Sequence, residues 1–325
     1  MPHEARFLWH TAAMPEHAGP VLLLDSASLY YRSFHALPES MTAPDGRPHN
    51  AVRGFLSTVT RLVDEHAPNR VVPCWDDDWR PQRRVDLVPT YKAQRVAVGD
   101  DPTAEAEPES LGAQAEAIAG LLRAAGLAPL GRAGFEADDV IASVAAQESR
   151  PVVVVSGDRD LVQVVAPGTR LLLTVNGGMD KWPLLDEAGV LERFAVAPAR
   201  YVDLAVLRGD PSDGLPGVPG IGAKTAAILV SAFGDVEAIL LAAEQNPSAR
   251  PMTPRLAAAL LGHADPIRAA RVVSTAVDTL DVLPAGGGER DSTRLAELAE
   301  EWGVQRQVEA LMGALARASG GGSDR

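Results

Sequence analysis

Five of the six carboxylates between residues 134 and 160 have the types and the spacing to bind a metal cation. They form two groups, which are Glu136, Asp138 and Asp139, and then Asp158 and Asp160. Val140, Ile141 and Val144 recur at helical spacing, so the first group is predicted to lie in the first turn of a helix. The apolar run 151–155 predicts a strand buried on both faces, so the second group follows its carboxyl end. Open α/β sheets bind their ligands at that edge.

Each acidic group alone has a simpler explanation. Acids in a first helical turn complement the helix dipole, and Asp158 could cap a helix that starts near Arg159. Both groups at one edge would, however, place like charges together, and repulsion would force some to protonate unless a cation lay among them. Mg²⁺ or Mn²⁺ suits such an all-oxygen set, whereas zinc would favour His or Cys, which these motifs lack. The acids therefore indicate a site for a hard divalent cation.

Two other predicted strands also end in acid. The run 20–25 ends in Asp25, and the run 70–75 is followed by Asp76. Pro73 favours an edge position for the second of these strands. Further short strands are predicted at 127–130 and 170–175, with a return at 179–182. The β-α-β-α order predicts an α/β fold.

Composition is that of an ordinary globular protein. The chain has 325 residues, of which 46% are apolar and 22% are charged. The formal net charge of −13 argues against a general nucleic-acid binder, although the argument weakens if many acids surround bound cations. Cys74 is the only cysteine, which excludes a disulfide framework and a thiolate zinc site.

Nothing in the sequence predicts a membrane segment. No apolar run approaches the roughly 18 residues of a membrane span, and residues 1–19 lack the apolar stretch of a signal peptide. We therefore expect a cytoplasmic protein whose residues 1–19 form a flexible leader.

The most basic stretch of the chain lies between residues 80 and 95. It contains Arg80, Arg83, Arg84, Lys92 and Arg95, with Trp79 and Tyr91 between them. Cations neutralise phosphates and rings stack on bases, so this composition suits a nucleic-acid strand. The alternative is a solvated helix face.

A Gly- and Pro-rich run from Gly209 to Thr225 predicts a phosphate-binding hairpin. It is not a Walker A loop, because Ala223 separates the last glycine from Lys224 and no strand precedes the run. A turn between two helices fits better, and the first N–H groups of the second helix would bind a phosphate without reading bases. Asp210 and Asp213 could then reach back toward the metal site.

Taken in order, these motifs resemble the flap endonuclease and 5′-to-3′ exonuclease family, which includes the amino-terminal nuclease domain of bacterial DNA polymerase I. The resemblance covers roughly residues 20–280. It rests on Leu24-Asp25 with Tyr31-Arg32, on Trp75-Asp76, on Arg84 with Tyr91 to Arg95, on Glu136 to Asp139, on Gly157 to Asp160, and on Gly209 to Ala226. Arg159 and Gly214 replace residues common in the family, and the stretch after Arg95 is acidic. We expect a stand-alone form without a polymerase segment.

The resemblance implies a mixed, mostly parallel central sheet flanked by helices, a helical arch over the site, and a helical helix-hairpin-helix region. The expected domains are a leader at 1–19, an α/β metal-dependent nuclease domain at 20–205 with its arch at about 79–110, a helix-hairpin-helix domain at 206–284, and C-terminal helices with a Gly-rich tail at 285–325.

It also implies the roles of individual residues. The ligands of two Mg²⁺ or Mn²⁺ ions would be Asp25, Asp76, Glu136, Asp138, Asp139, Asp158, Asp160, Asp210 and Asp213. The basic catalytic residues would be Lys92, Arg95 and Arg84. The DNA-binding residues would be Gly217, Gly220, Gly222, Lys224 and Thr225, and a potassium ion at the hairpin would use Ser212, Val218 and Ile221.

The predicted reaction is metal-assisted hydrolysis of DNA phosphodiester bonds, with exonuclease or flap endonuclease activity in replication and repair. The expected partners are DNA with 5′ ends, flaps or nicks and a separate DNA polymerase, and the expected state is a monomer. Two alternatives stay open, which are a non-catalytic structure-specific DNA-binding protein and a related metal-dependent ribonuclease. A phosphatase is excluded because Asp25 lacks a second Asp two residues later.

Overall fold

A computed structural model describes residues 19–98, 105–282 and 288–320. The predicted leader, except Gly19, the predicted tail beyond residue 320 and residues 99–104 of the predicted arch lie outside this range.

The described residues contain one five-stranded mixed sheet, with strand order β2-β1-β3-β4-β5. The strands are β1 (Val21–Asp25), β2 (Arg70–Cys74), β3 (Val152–Ser156), β4 (Thr169–Leu173) and β5 (Leu184–Leu185). The first four are mutually parallel, and β5 pairs antiparallel with β4. The predicted α/β fold is confirmed, and Pro73 lies on the edge strand β2 as expected. Asp25 lies opposite Cys74 in the register, so β1 and β2 end together at one edge of the sheet.

Two predicted short strands differ from the structure. The run 127–130 forms only an isolated parallel bridge between Leu130 and Cys74. The return predicted at 179–182 is a 3-10 turn, and the pairing strand is β5. Trp182 is buried and donates its indole N–H to the Val175 carbonyl at 3.2 Å, so its apolar ring belongs to the core rather than to a strand.

Helices cover both faces of the sheet. They are α1 (Ser26–Ala36), α2 (Asn50–His66), α3 (Gln82–Leu87), α4 (Glu109–Ala124), α5 (Ala137–Gln147), α6 (Glu187–Phe194), α7 (Tyr201–Arg208), α8 (Ala223–Phe233), α9 (Val236–Gln245), α10 (Pro254–Leu261), α11 (Ala264–Ser274), α12 (Ser292–Glu301) and α13 (Gln305–Gly320). Side chains alternate along β1, so Leu22 and Leu24 pack with α1, α2, α4, α12 and α13. Val21 and Leu23 pack on the opposite face, in the core shared by α5 and helices α7 to α11.

The predicted arch is mostly irregular within the described residues. Only the six-residue helix α3 and a 3-10 turn at Ala93–Arg95 lie between residues 79 and 98, and Val96 pairs with Glu105 in an antiparallel bridge. Within the described residues, the predicted arch therefore contains only short helical segments before α4.

The hairpin lies where it was predicted, between α7 and α8. The domain boundary predicted near residue 205 falls inside α7, which is a continuous helix, because one core joins the sheet to the following helices. Within the described residues, no single helix is both long and apolar enough to cross a membrane. The pair α8 and α9 meets those criteria only together, across a bend of 82°.

Candidate active site

Acidic side chains from six separate segments line one open cavity at the carboxyl edge of the sheet. The cavity has a volume of about 1230 Å³, and its acids from the predicted set are Asp25, Asp76, Glu136, Asp138, Asp158 and Asp210. We call it the acidic cavity. Because β1, β2 and β3 end at the same edge, acids that are far apart in sequence converge here.

Asp25 is held at the end of β1 by two hydrogen bonds. Its carboxylate accepts from the Ser28 N–H at 3.0 Å, which caps α1, and from the Ser156 hydroxyl at the end of β3. The side chain is buried. Burial, opposed by the Ser156 hydrogen bond and reinforced by the charge of Asp76, raises the pKa of Asp25 to about 7. Ionising Asp25 in this environment is therefore unfavourable.

The other acids of the central stretch repel one another. Burial and the nearby charge of Asp158 raise the pKa of both Asp138 and Asp160. The carboxylate of Asp158 accepts from the Asp160 N–H at 2.8 Å, and that of Asp76 accepts from the Ala137 N–H at 2.8 Å. The charges of Lys92 and Arg208 offset the raised pKa values of Asp138 and Asp160 only in part.

The hairpin loop carries the last two predicted acids to the same region. Asp210 caps the 3-10 turn Pro211–Asp213 and forms an ion pair with Arg208 at 3.3 Å. Asp213 does not line the cavity, yet burial raises its pKa and the charge of Asp158 raises it further, as expected for neighbours. The structure therefore brings the hairpin acids toward the sheet acids.

Asp139 is placed differently from the other acids. It is completely buried, does not line the acidic cavity, and accepts hydrogen bonds from Arg84 and from the Val277 N–H, each at 2.8 Å. Arg83 forms a further ion pair with it. Asp139 also completes a capping box with Glu136 at the start of α5. Its carboxylate is thus occupied in holding α5 in place.

The three predicted basic residues separate into two groups. Lys92 and Arg95 line the cavity, whereas Arg84 is buried and forms ion pairs with Glu136 and Asp139. Lys92 contacts Glu136 and donates to the Trp79 carbonyl at 3.3 Å. Although burial lowers the pKa of Lys92, nearby acidic groups raise it above the ordinary value, so the side chain stays protonated.

The segment that carries Lys92 is bonded to the hairpin loop. The Lys92 N–H donates to the Asp213 carbonyl at 3.0 Å, and the Thr90 hydroxyl donates to the Gly214 carbonyl at 2.9 Å. The side-chain amide of Gln94 donates to the Ser212 carbonyl. The basic segment and the hairpin loop therefore form one connected unit.

The hairpin presents an open turn. Gly217 and Gly220 have positive φ angles of 67° and 84°, and a side chain on Gly217 would meet the Gly209 N–H at 2.4 Å. Gly222 precedes α8 and has open space around it, while Lys224 is exposed and Thr225 is half-buried. The first N–H groups of α8 are therefore accessible to a phosphate.

The three predicted potassium ligands do not form one group of free carbonyls. The Ser212 carbonyl accepts from Gln94, and the Val218 carbonyl accepts from the Ile221 N–H at 3.0 Å. Ser212 lines the acidic cavity rather than the turn.

The donor set suits a hydrated Mg²⁺ ion. Among the described residues, no three Asp, Glu, His or Cys side chains surround one point closely enough to hold a metal ion. Mg²⁺ keeps several waters and binds through one or two carboxylates, so it does not need such a cage. The raised carboxyl pKa values are those expected where a cation normally offsets the charges. The acids present therefore fit the predicted metals.

Sequence reasoning missed several residues that line the acidic cavity. They include Tyr30, Glu105, Glu107, Thr174 and Arg208. Glu105 and Glu107 belong to the acidic stretch after Arg95, and that departure from the family pattern was the available signal. Arg208 directly precedes the hairpin run but carries no distinctive spacing of its own.

Comparison with known proteins agrees with this architecture. A solved structure of bacteriophage T5 5′-exonuclease with divalent metal ions (zinc) bound has a TM-score of 0.61 at 17% identity, and the match covers 92% of this chain and 99% of that chain. The catalytic core of Rad2 in complex with DNA substrate has a TM-score of 0.58 at 14% identity, covering 92% and 93%. At such identities these matches concern the fold alone.

Sequence comparison identifies the family. The 5′-3′ exonuclease of Streptomyces coelicolor is 47% identical over 302 residues, which cover 90% of this chain and 98% of that protein. Residues 20–195 match the family model of the 5′-3′ exonuclease N-terminal resolvase-like domain, and residues 196–284 match that of the 5′-3′ exonuclease C-terminal SAM fold. The chain therefore belongs to the 5′-3′ exonuclease family.

Proposed function

We propose that this protein is a structure-specific nuclease that hydrolyses DNA phosphodiester bonds at 5′ ends, flaps or nicks, with two Mg²⁺ or Mn²⁺ ions. The observation that carries the proposal is the convergence of strand-end and hairpin acids in one cavity that Lys92 and Arg95 also line. Family membership supports the nuclease activity. The DNA in the Rad2 complex and the divalent ions in the T5 structure support the substrate and the cofactor.

The acids of the cavity are proposed to hold the metals. Burial raises the pKa of Asp25 and of Asp138, and the charge of Asp158 raises both further, so these three acids are the central candidates. The hairpin acids Asp210 and Asp213 would contribute from the hairpin side of the cavity. When bound, such ions lower the pKa of a water nucleophile and stabilise the leaving oxygen. Asp139 is proposed to act through its bonds to Arg84 rather than as a ligand.

Lys92 and Arg95 are proposed to stabilise negative charge on the scissile phosphate. Fixed positive groups are most effective where charge develops, because they need no reorganisation during the reaction. Lys92 meets this condition, since its backbone is bonded to the hairpin loop and its ammonium group is held beside Glu136. Arg84 is proposed as a positioning residue, because its guanidinium group is buried against Glu136 and Asp139.

The hairpin is proposed to bind the duplex backbone. The open N-terminus of α8 and the exposed Lys224 would contact phosphates and no bases, which fits recognition of structure rather than sequence. A separate DNA polymerase as a partner, a monomeric state, a potassium ion at the hairpin and a cytoplasmic location stay predictions.

The test uses three substrates, which are a 5′-flap duplex, a blunt duplex and a single-stranded RNA. Each is incubated with the purified protein in Mg²⁺ and in EDTA. We expect Mg²⁺-dependent cutting at the flap junction or stepwise loss from the 5′ end, and Asp158→Asn should abolish it while the exposed-acid control Asp180→Asn should not. Binding without cutting would favour the non-catalytic alternative, and a preference for RNA would favour the ribonuclease.

A further inference from the structure

Two carboxylates that belong to no predicted set of metal ligands line the acidic cavity. They are Glu105 and Glu107. Val96 pairs with Glu105 in an antiparallel bridge, and the Ala106 N–H donates to the Arg95 carbonyl at 2.6 Å. The backbone on the two sides of this pairing therefore holds the acids at the cavity wall.

The side chains of both acids are also held. The Tyr31 hydroxyl donates to the Glu107 carboxylate at 2.8 Å. Glu105 lies 3.9 Å from the Arg95 guanidinium group, and only 19% of its side chain is exposed. At this distance the two charges form a loose pair, so Arg95 compensates Glu105 only in part.

Their distance from the reacting end can be estimated along α1. Tyr31 follows Asp25 by six positions, which corresponds to about 9 Å along a helix that rises about 1.5 Å per residue. Glu107, which Tyr31 holds, therefore lies at the part of the cavity wall beside α1, away from the end of β1 that carries Asp25. Arg208, Asp210 and Ala223 line the hairpin end of the same cavity.

The proposed function fixes which part of the DNA meets the two acids. If the hairpin holds the duplex, the nucleotide released from the 5′ side lies at the Tyr31 end of the cavity. We propose that Glu105 and Glu107 are specificity-determining residues that repel negative charge on this nucleotide, so that the enzyme prefers 5′-hydroxyl ends to 5′-phosphate ends. The proposal deepens the proposed function and rests on it. Two charges about 8 Å apart near a protein surface, partly screened by salt, change an affinity by about three- to thirtyfold.

The experiment uses a nicked duplex whose downstream strand carries either a 5′-hydroxyl or a 5′-phosphate. The wild type, Glu105→Gln, Glu107→Gln and the double variant are compared by kcat/KM with Mg²⁺, and by Kd from fluorescence anisotropy with Ca²⁺. Gln keeps an acceptor for the Tyr31 hydroxyl, so it removes the charge without removing that hydrogen bond. Tyr31→Phe separately tests the hydrogen bond, and Glu116→Gln removes the same charge from the exposed face of α4.

We expect the wild type to favour the 5′-hydroxyl end in both measurements. The ratio between the two ends should fall about threefold in each single variant and about tenfold in the double variant, and the differences should shrink as salt is raised. Glu116→Gln should leave the ratio unchanged. A double variant whose ratio stays within about twofold of the wild type would overturn the proposal. If the wild-type protein binds the two substrates with the expected ratio of Kd values but cleaves neither, the proposed function is overturned. The inference about Glu105 and Glu107 would then still be supported.

Discussion

Neutralising Asp25 should stabilise the metal-free protein and abolish its metal response. Burial raises the pKa of this carboxyl from 3.8 to about 7, so ionising it in the folded state costs about 4 kcal/mol at about 1.36 kcal/mol per pKa unit. The folded state binds the proton more tightly than the unfolded chain. The cost is therefore absent below about pH 4, grows between about pH 4 and pH 7, and is nearly complete at pH 8. The asparagine of Asp25→Asn cannot ionise, so the variant does not have this free-energy cost.

The assay is urea unfolding in EDTA at pH 8 and at pH 4. We expect Asp25→Asn to raise the free energy of unfolding at pH 8 by about 2–4 kcal/mol, the lower figure allowing for weaker hydrogen bonds from Ser28 and Ser156 to an amide. At pH 4 the gain should fall below about 1 kcal/mol. Mg²⁺ should stabilise the wild type and not the variant. Asp180→Asn, on an exposed turn, serves as the matched control. A variant no more stable than the wild type at pH 8 in EDTA would refute the reasoning.

Three further substitutions test other parts of the site. Lys92→Met should lower the single-turnover cleavage rate about 10²–10³-fold, because it removes a fixed positive charge beside the phosphate. The control Lys181→Met, at an exposed lysine, should change that rate less than about twofold. Lys224→Ala should raise KM at unchanged kcat and reduce the slope of log affinity against log salt by about one, and an unchanged slope would exclude a phosphate contact. Gly214→Ala should destabilise the protein to urea by more than about 2 kcal/mol, because φ is 70° and a Cβ would lie 2.1 Å from a backbone oxygen. Gly134→Ala, with φ of 78° and nothing within 4 Å, should cost only about 1–2 kcal/mol of backbone strain, and an equal loss in both variants would contradict the contact argument.

The parts of the site that lie next to buried strands were predictable from sequence. The apolar runs before Asp25 and Asp158 are long enough and apolar enough to specify strands buried on both faces, and a parallel sheet brings their ends together. The glycines of the hairpin likewise specify a turn, because Gly217 and Gly220 adopt positive φ. These features are local, so a single sequence contains them.

The remaining features depend on contacts that a single sequence does not reveal. Asp139 differs from its neighbour Asp138 because Arg84, 55 positions earlier, forms an ion pair with it in the folded protein. Glu107 reaches the cavity wall because Tyr31, 76 positions earlier, holds its carboxylate. Neither contact produces a periodicity or a motif in the amino-acid sequence. The metal-binding roles of the individual acids stay predictions until the variants are measured.

In the proposed function, the hydrogen bonds between the Lys92 segment and the hairpin loop would set the distance between the bound duplex and the site of cutting. Phosphates on one strand follow each other at about 3.4 Å along the duplex axis. Because Thr90 and Lys92 are hydrogen-bonded to the loop that precedes the turn, the fold would keep the separation between a duplex bound at the turn and a phosphate bound at Lys92 constant. A duplex seated one base pair further along presents the next phosphate at the same place. The proposed function therefore predicts that the position of the cut is set by the end of the duplex and not by the base sequence.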